Sequence, residues 1–214
     1  MLDVHAPEHG IHGMRDFFVH LLTITAGLLI ALALEAGVEA VHHRHQRREA
    51  EDNLRQELRD NARDLKKVLG SAAKEREVLT SVLVLAQARS EGKDVPAENV
   101  SVGSSFATLH EASWDTASAT GVLNYMDYTE VQRFAETYQL QREYVSVQES
   151  MLQDYLQAIS HVTGTVGLLN IEAMTPSEAG AAMVDLQHTL ARLAAMQEIG
   201  QLVGKDYDAA IAQH

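Results

Sequence analysis

No cysteine occurs among the 214 residues, which rules out a disulfide framework, thiolate nucleophiles and thiolate metal ligands and leaves the redox compartment open. Proline occurs only 3 times, so little interrupts a helix, and the dominance of Ala, Leu, Glu and Gln favours helix over sheet. Basic residues are scarce too: 17 Lys and Arg stand against 30 Asp and Glu, for a formal charge of -13. Such a balance repels a phosphate backbone and excludes nucleic acid as a partner. No Ser/His/Asp order, glycine-rich phosphate loop or distinct carboxylate pair stands out, so no catalytic activity is expected. The length fits one medium domain, or a smaller domain with an anchor, and suffices to bury a core.

What the chain does have is an uncharged run near its start. Phe17 to Leu34 is 18 residues without a charge, about 27 Å of helix against a hydrocarbon core of ~30 Å. Extension through Ala36, Gly37, Val38, Ala40 and Val41 takes in Glu35 and Glu39, which an interface tolerates when they are protonated or paired. A buried soluble helix is the other reading, but such a helix seldom runs this far without a charged face. A transmembrane helix over 16–41 is therefore expected, after a short extramembrane segment 1–15. Asp3, Glu8 and Asp16 outweigh Arg15 before the run, unlike the basic opening of a secretion signal. An uncleaved anchor is expected, rather than a leader cut at Ala31-Leu32-Ala33.

The polar residues of this run share one helical face. Asp16, His20, Thr23, Gly27, Ala31 and Glu35 follow at steps of three or four. Phe17, Leu21, Leu22, Leu28, Leu29, Leu32 and Leu34 occupy the other faces and suit lipid. Thr23, Gly27 and Ala31 form a small-xxx-small row that lets a second helix approach closely. The membrane-helix packing face is thus His20, Thr23, Gly27, Ala31 and Glu35, directed at a copy of the chain or at another membrane protein. Asp16 and His20, four apart, are placed to share a hydrogen bond. His20 also raises ligation of haem, chlorophyll or a metal, though a lone histidine in a span more often bonds a neighbour.

His42, His43, Arg44, His45, Arg47 and Arg48 follow the run and suit an interfacial belt among lipid headgroups. His42 and His45, with Glu49, have the spacing of a surface metal clamp, and His5, His9 and His12 offer a second histidine group. Interleaved arginines repel a cation, so no metal and no cofactor is expected. Arg44, Arg47 and Arg48, with Lys66 and Lys67 beyond, place the bulk of the chain in the cytoplasm by the positive-inside rule. A periplasmic domain is the alternative.

Beyond the run, Leu58, Leu65, Ala72, Leu79 and Ala86 recur at sevens, flanked by Leu54, Ala62, Leu69 and Leu83. This seam predicts one helix continuing to about 90. A loop is expected over 91–104, a short helix over 105–118 around Phe106, Leu109, Ala112 and Trp114, and long helices over about 127–163 and 175–212. The third has Asp127 and Glu130 at capping-box spacing and a seam of Val131, Tyr138, Val145, Leu152 and Ile159. The fourth opens at Thr175-Pro176-Ser177-Glu178, with Met183, Leu186, Leu190, Leu193 and Leu202 as its buried face. The fold class is all-α: an N-terminal transmembrane helix continuous with the long helix of an up-and-down bundle over 42–214. Trp114 plugs the bundle end or forms a pocket with Tyr125, Tyr128 and Phe134.

Gly27-Leu28-Leu29-Ile30-Ala31-Leu32, then Glu35 and charged helix, resembles a group of uncharacterised bacterial single-pass membrane proteins with an N-terminal span and a helical bundle domain of unknown function. The stretch from Ala112 to Gly121 (ASWDTASATG) is similar to a segment of that group. The acidic, histidine-bearing N-terminus departs from the basic one of many such proteins. The resemblance implies an architecture and a bacterial inner membrane, and no activity. Three roles follow: a membrane-anchored scaffold acting as an oligomer or accessory subunit, a cofactor- or metal-binding subunit using His20 or the His42/His43/His45 cluster, and a sensor-like bundle acting through a partner.

Overall fold

A computed structural model describes residues 13–97, 103–162 and 170–212. Among the described residues every regular element is helical: α1 (Met14–Ser90), α2 (Ala112–Thr120), α3 (Tyr128–Val162) and α4 (Pro176–Ala212), with short 3-10 turns at Val122–Tyr125 and Ile171–Ala173. The chain divides into two compact units, 1–49 and 50–214, and the second is an all-helical bundle.

The bundle is built on apolar side chains alternating at three and four residues. On α1 the five positions at sevens, Leu58, Leu65, Ala72, Leu79 and Ala86, are all buried. Asn61, Val68, Glu75 and Val82 fill the alternate places between them. On α4 the stripe runs through Ala182, Leu186, Thr189, Leu193, Met196 and Gly200. Met183 and Leu190 lie at its margin, and Leu202 is 51% exposed. On α3 the expected seam is displaced. Tyr138 is fully buried, but Val131, Val145, Leu152 and Ile159 are only half-buried. The centre of the helix instead carries Phe134, Gln141, Gln148 and Tyr155 at sevens. Two of these are amides, so an apolar pattern search slides to the next row.

The helix starts follow capping chemistry. Asp127 accepts the Thr129 N–H (2.9 Å) at the head of α3, while Glu130 forms an ion pair with Arg55 of α1. At α4, Glu178 accepts both the N–H and the hydroxyl of Thr175 (2.8 Å each), and Thr175 Oγ1 accepts the Glu178 N–H (3.3 Å). These bonds hold the Glu178 carboxyl below its ordinary range, the backbone N–H of Thr175 contributing most.

One segment departs from the expected helix. The helix placed over 105–118 begins only at Ala112, and residues 103–111 form no regular element. Glu75 of α1 bonds the Ser105 N–H, and Glu57 bonds the Ser113 N–H. The 18 helical residues between those carboxylates rise roughly 27 Å. The 8 residues between the two amides cover that distance only when extended, at about 3.3 Å each. Helix would cover less than half of it. The segment is therefore a strap running antiparallel to α1. Arg55–Glu130 and Asn61–Gln141 contacts set α3 parallel to α1, and Tyr207–Gln141 and Arg192–Asp154 contacts set α4 antiparallel to α3. The up-and-down alternation is kept, with the strap and α2 as its second leg.

At Gly200, α4 closely approaches side chains of both α1 and α3. A Cβ added at Gly200 would lie 2.9 Å from Leu69 Cδ2 and 3.0 Å from Tyr144 Cε2, whereas one at Gly204 meets nothing within 4 Å. Alanine gains up to about 1 kcal/mol of helix propensity at either site, but overpacking costs about 1–3 kcal/mol. Chemical denaturation of Gly200→Ala is expected to show a net loss of stability and that of Gly204→Ala a gain. A stabilised Gly200→Ala would contradict the close approach.

Candidate functional sites: an exposed apolar helix and a polar groove

In the first unit, every large apolar side chain from Met14 to Val41 is exposed. α1 contains an 18-residue window long and apolar enough to cross a membrane, and none of that window is buried within the protein. Thr23 Oγ1 donates to the Val19 carbonyl (2.9 Å) and Thr25 Oγ1 to the Leu21 carbonyl (2.8 Å). Both hydroxyls thus find acceptors within the helix.

His20, Thr23, Gly27, Ala31 and Glu35 are exposed on this helix. A Cβ at Gly27 would meet nothing within 4 Å. His42, Arg44, His45 and Arg48 are exposed, while His43 and Arg47 are half-buried. His43 Nε2 lies 3.8 Å from Glu39 Oε1, one turn earlier. Among the described residues no three His, Asp or Glu side chains converge as metal ligands, the spacing of His42, His45 and Glu49 notwithstanding. His5, His9 and His12 lie outside the described residues.

Trp114 is half-buried against the core. It stacks on Tyr138 (ring centroids 5.5 Å apart, planes at 25°). Tyr125 and Tyr128 are exposed, the latter by 80%, and Phe134 is buried with the Arg55 guanidinium 5.9 Å from its ring centre.

In the second unit, a row of polar side chains that no motif announced lines the groove between α1 and α3. Gln148 grips both sides of Ala107, accepting its N–H (2.8 Å) and donating to its carbonyl (2.9 Å). Asn61 does the same at His110, accepting the N–H (2.9 Å) and donating to the carbonyl (2.7 Å). Gln141 donates to that same carbonyl (3.0 Å), and its own oxygen accepts from Asn61 (3.0 Å) and from the Tyr207 hydroxyl (2.7 Å). Glu75 accepts the Ser105 N–H and the Ser104 hydroxyl, both at 2.9 Å, and the Ser71 hydroxyl at 3.0 Å. Glu57 accepts the Ser113 N–H (3.0 Å) and the Tyr138 hydroxyl (2.8 Å).

The spacing explains the match. Gln141 and Gln148, 7 helical residues apart, are separated by roughly 10 Å of rise. His110 and Ala107, 3 extended residues apart, are separated by about the same distance. One heptad of helix therefore reads three residues of strap. Sequence inspection offers little signal for this, because each partner lies 29 or more residues from the segment it holds.

The tyrosines around the groove are shifted upward. Burial, then the bond to Glu57, raises Tyr138. Burial and the neighbouring Tyr144 raise Tyr207. Tyr144, pushed up to about 12 by burial and by Glu75, has a buried hydroxyl with no hydrogen-bond partner among the described residues. No family model, no curated protein and no solved structure matches the chain.

Two outcomes follow. Gln148→Leu makes the α3 stripe more apolar yet strands both polar groups of Ala107, so chemical denaturation is expected to show a loss of about 1–3 kcal/mol. A stabilised variant would contradict the groove. Folded tyrosines titrating above the unfolded value of about 10 contribute stability that is complete below that pH and is lost as pH rises towards 12. In a Tyr125→Phe/Tyr128→Phe variant, which removes the two exposed phenols and leaves those shifted upward, helical circular dichroism and phenolate absorbance are expected to change together in that window. Phenolate appearing near pH 10 with helix content unchanged would be the wrong result.

Proposed function

We propose that the chain is a membrane-anchored helical interaction protein, a scaffold without catalysis of its own that works as an oligomer or an accessory subunit of a membrane complex. The observation that carries this reading is the unburied apolar stretch of α1, where Phe17, Phe18, Leu22, Leu28, Leu29 and Leu34 are all exposed among the described residues. A patch of that extent is costly in water and is ordinarily covered by lipid or by another protein. The lipid bilayer is its first partner. The row His20, Thr23, Gly27, Ala31 and Glu35 is the side offered to a second membrane helix, from a copy of this chain or another subunit. The belt of His42, His43, Arg44, His45, Arg47 and Arg48 meets headgroups, with the bulk of the chain on the cytoplasmic side of a bacterial inner membrane. The resemblance of Gly27–Leu32 to bacterial single-pass spans points the same way.

The test is mass in detergent. The full chain is expected in the membrane fraction, resistant to alkaline wash, and to migrate in mild detergent above its 23.5 kDa monomer. Gly27→Leu should shift that species towards monomer or release its co-purifying partner. A chain that stays in the aqueous fraction without detergent removes the anchor. An alkaline-resistant monomer that brings nothing with it removes the scaffold.

A further inference from the structure

The groove between α1 and α3 has the chemistry of a receptor. Gln148 and Asn61 each satisfy a donor and an acceptor of a single peptide unit's neighbourhood, and Gln141 and Glu57 add bonds to the same backbone. These contacts address N–H and C=O groups, which every extended polypeptide carries. Side-chain demands on the occupant are few. A small residue is required where Ala107 is buried, and a hydroxyl is favoured where Ser104 bonds Glu75. Phe106 and Leu109 are only half-buried, and Ser105, Thr108 and His110 face solvent. The strap is thus held by backbone bonds that another extended chain reproduces, together with the burial of Ala107 and the partial burial of Phe106 and Leu109 against the core.

We propose that this groove binds an extended segment of a partner protein, and that residues 104–113 are its resident occupant, displaced when the partner arrives. The partner segment carries a small residue at the centre and Ser or Thr three positions before it. Recognition is by backbone hydrogen bonds at every second or third residue, with side-chain amides and carboxylates taking the part that a sheet edge plays in strand addition. The proposal rests on the second unit alone and does not depend on how the first unit meets lipid.

The probe is a fluorescent synthetic peptide of this chain's own residues 103–113, titrated into the full-length protein in detergent. Ala107→Pro removes the N–H that Gln148 accepts and loosens the strap while leaving every groove residue in place. Because the resident strap taxes the apparent affinity by the fraction of time it is seated, this variant is expected to bind the peptide roughly tenfold more tightly than the parent. Adding Gln148→Ala and Asn61→Ala should abolish that binding, and a scrambled peptide should not bind. A loosened protein that retains its helix content and ignores the peptide overturns the proposal, as does equal binding of the scrambled peptide. Should Ala107→Pro fail to fold, hydrogen exchange of the parent decides. Amides of Ser105, Ala107 and His110 are expected to exchange through local opening while those of buried α3 residues stay protected. Exchange of the strap only with the whole bundle makes it a fixed element, and the proposal falls.

Discussion

An extended segment inside a helical bundle has no ladder of its own, so each buried N–H and C=O must be satisfied by something else. Here the partners are side chains of the neighbouring helices, and that requirement organises the rest of the second unit. It places amides at positions of α1 and α3 that a bundle would otherwise fill with leucine. It sets α1 and α3 parallel, with the strap as the leg between them. It also draws Tyr138 and Tyr207 into the network, since Glu57 and Gln141 have acceptor capacity left after meeting the backbone. Burial then raises both phenols, so the tyrosines remain protonated donors over the whole neutral range.

The two parts of helix α1 differ in character. From Met14 to Val41 its large apolar side chains are all exposed, and the hydroxyls of Thr23 and Thr25 turn back onto the backbone. From Leu54 onward it alternates buried Leu, Val and Ala with polar residues that either face solvent or reach the strap. A chain of net charge -13 concentrates its acid-free basic stretch, His42 to Arg48, between these regions. In the proposed role this is where headgroups begin, between the row that meets a second membrane helix and the bundle.

Much of this was legible in the sequence, and the failures are instructive. Heptads of aliphatic residues reveal α1, because Leu58, Leu65, Ala72, Leu79 and Ala86 are buried for the ordinary reason. Capping chemistry at Asp127 and Thr175 marks the starts of α3 and α4 for equally local reasons. The α3 seam slid to Val131, Val145, Leu152 and Ile159 because Gln141 and Gln148, though buried, look like surface residues. The strap imitated a helix because Phe106, Leu109 and Ala112 recur every third residue, a spacing an extended segment can carry too. The composition of the apolar helix was plain, but the groove depends on contacts between residues far apart in sequence, to which local pattern is blind.

The claim at the centre of this account is that side chains of two helices share the backbone of one strap. Asn61 and Gln141 converge on a single carbonyl, that of His110, and also bond each other. A double-mutant cycle with Asn61→Ala and Gln141→Ala, read by chemical denaturation, measures that sharing directly. The account predicts that the two losses are not additive, with a coupling of about 0.5–3 kcal/mol. Losses that simply add would show that the two amides act independently and that the strap is not held as described.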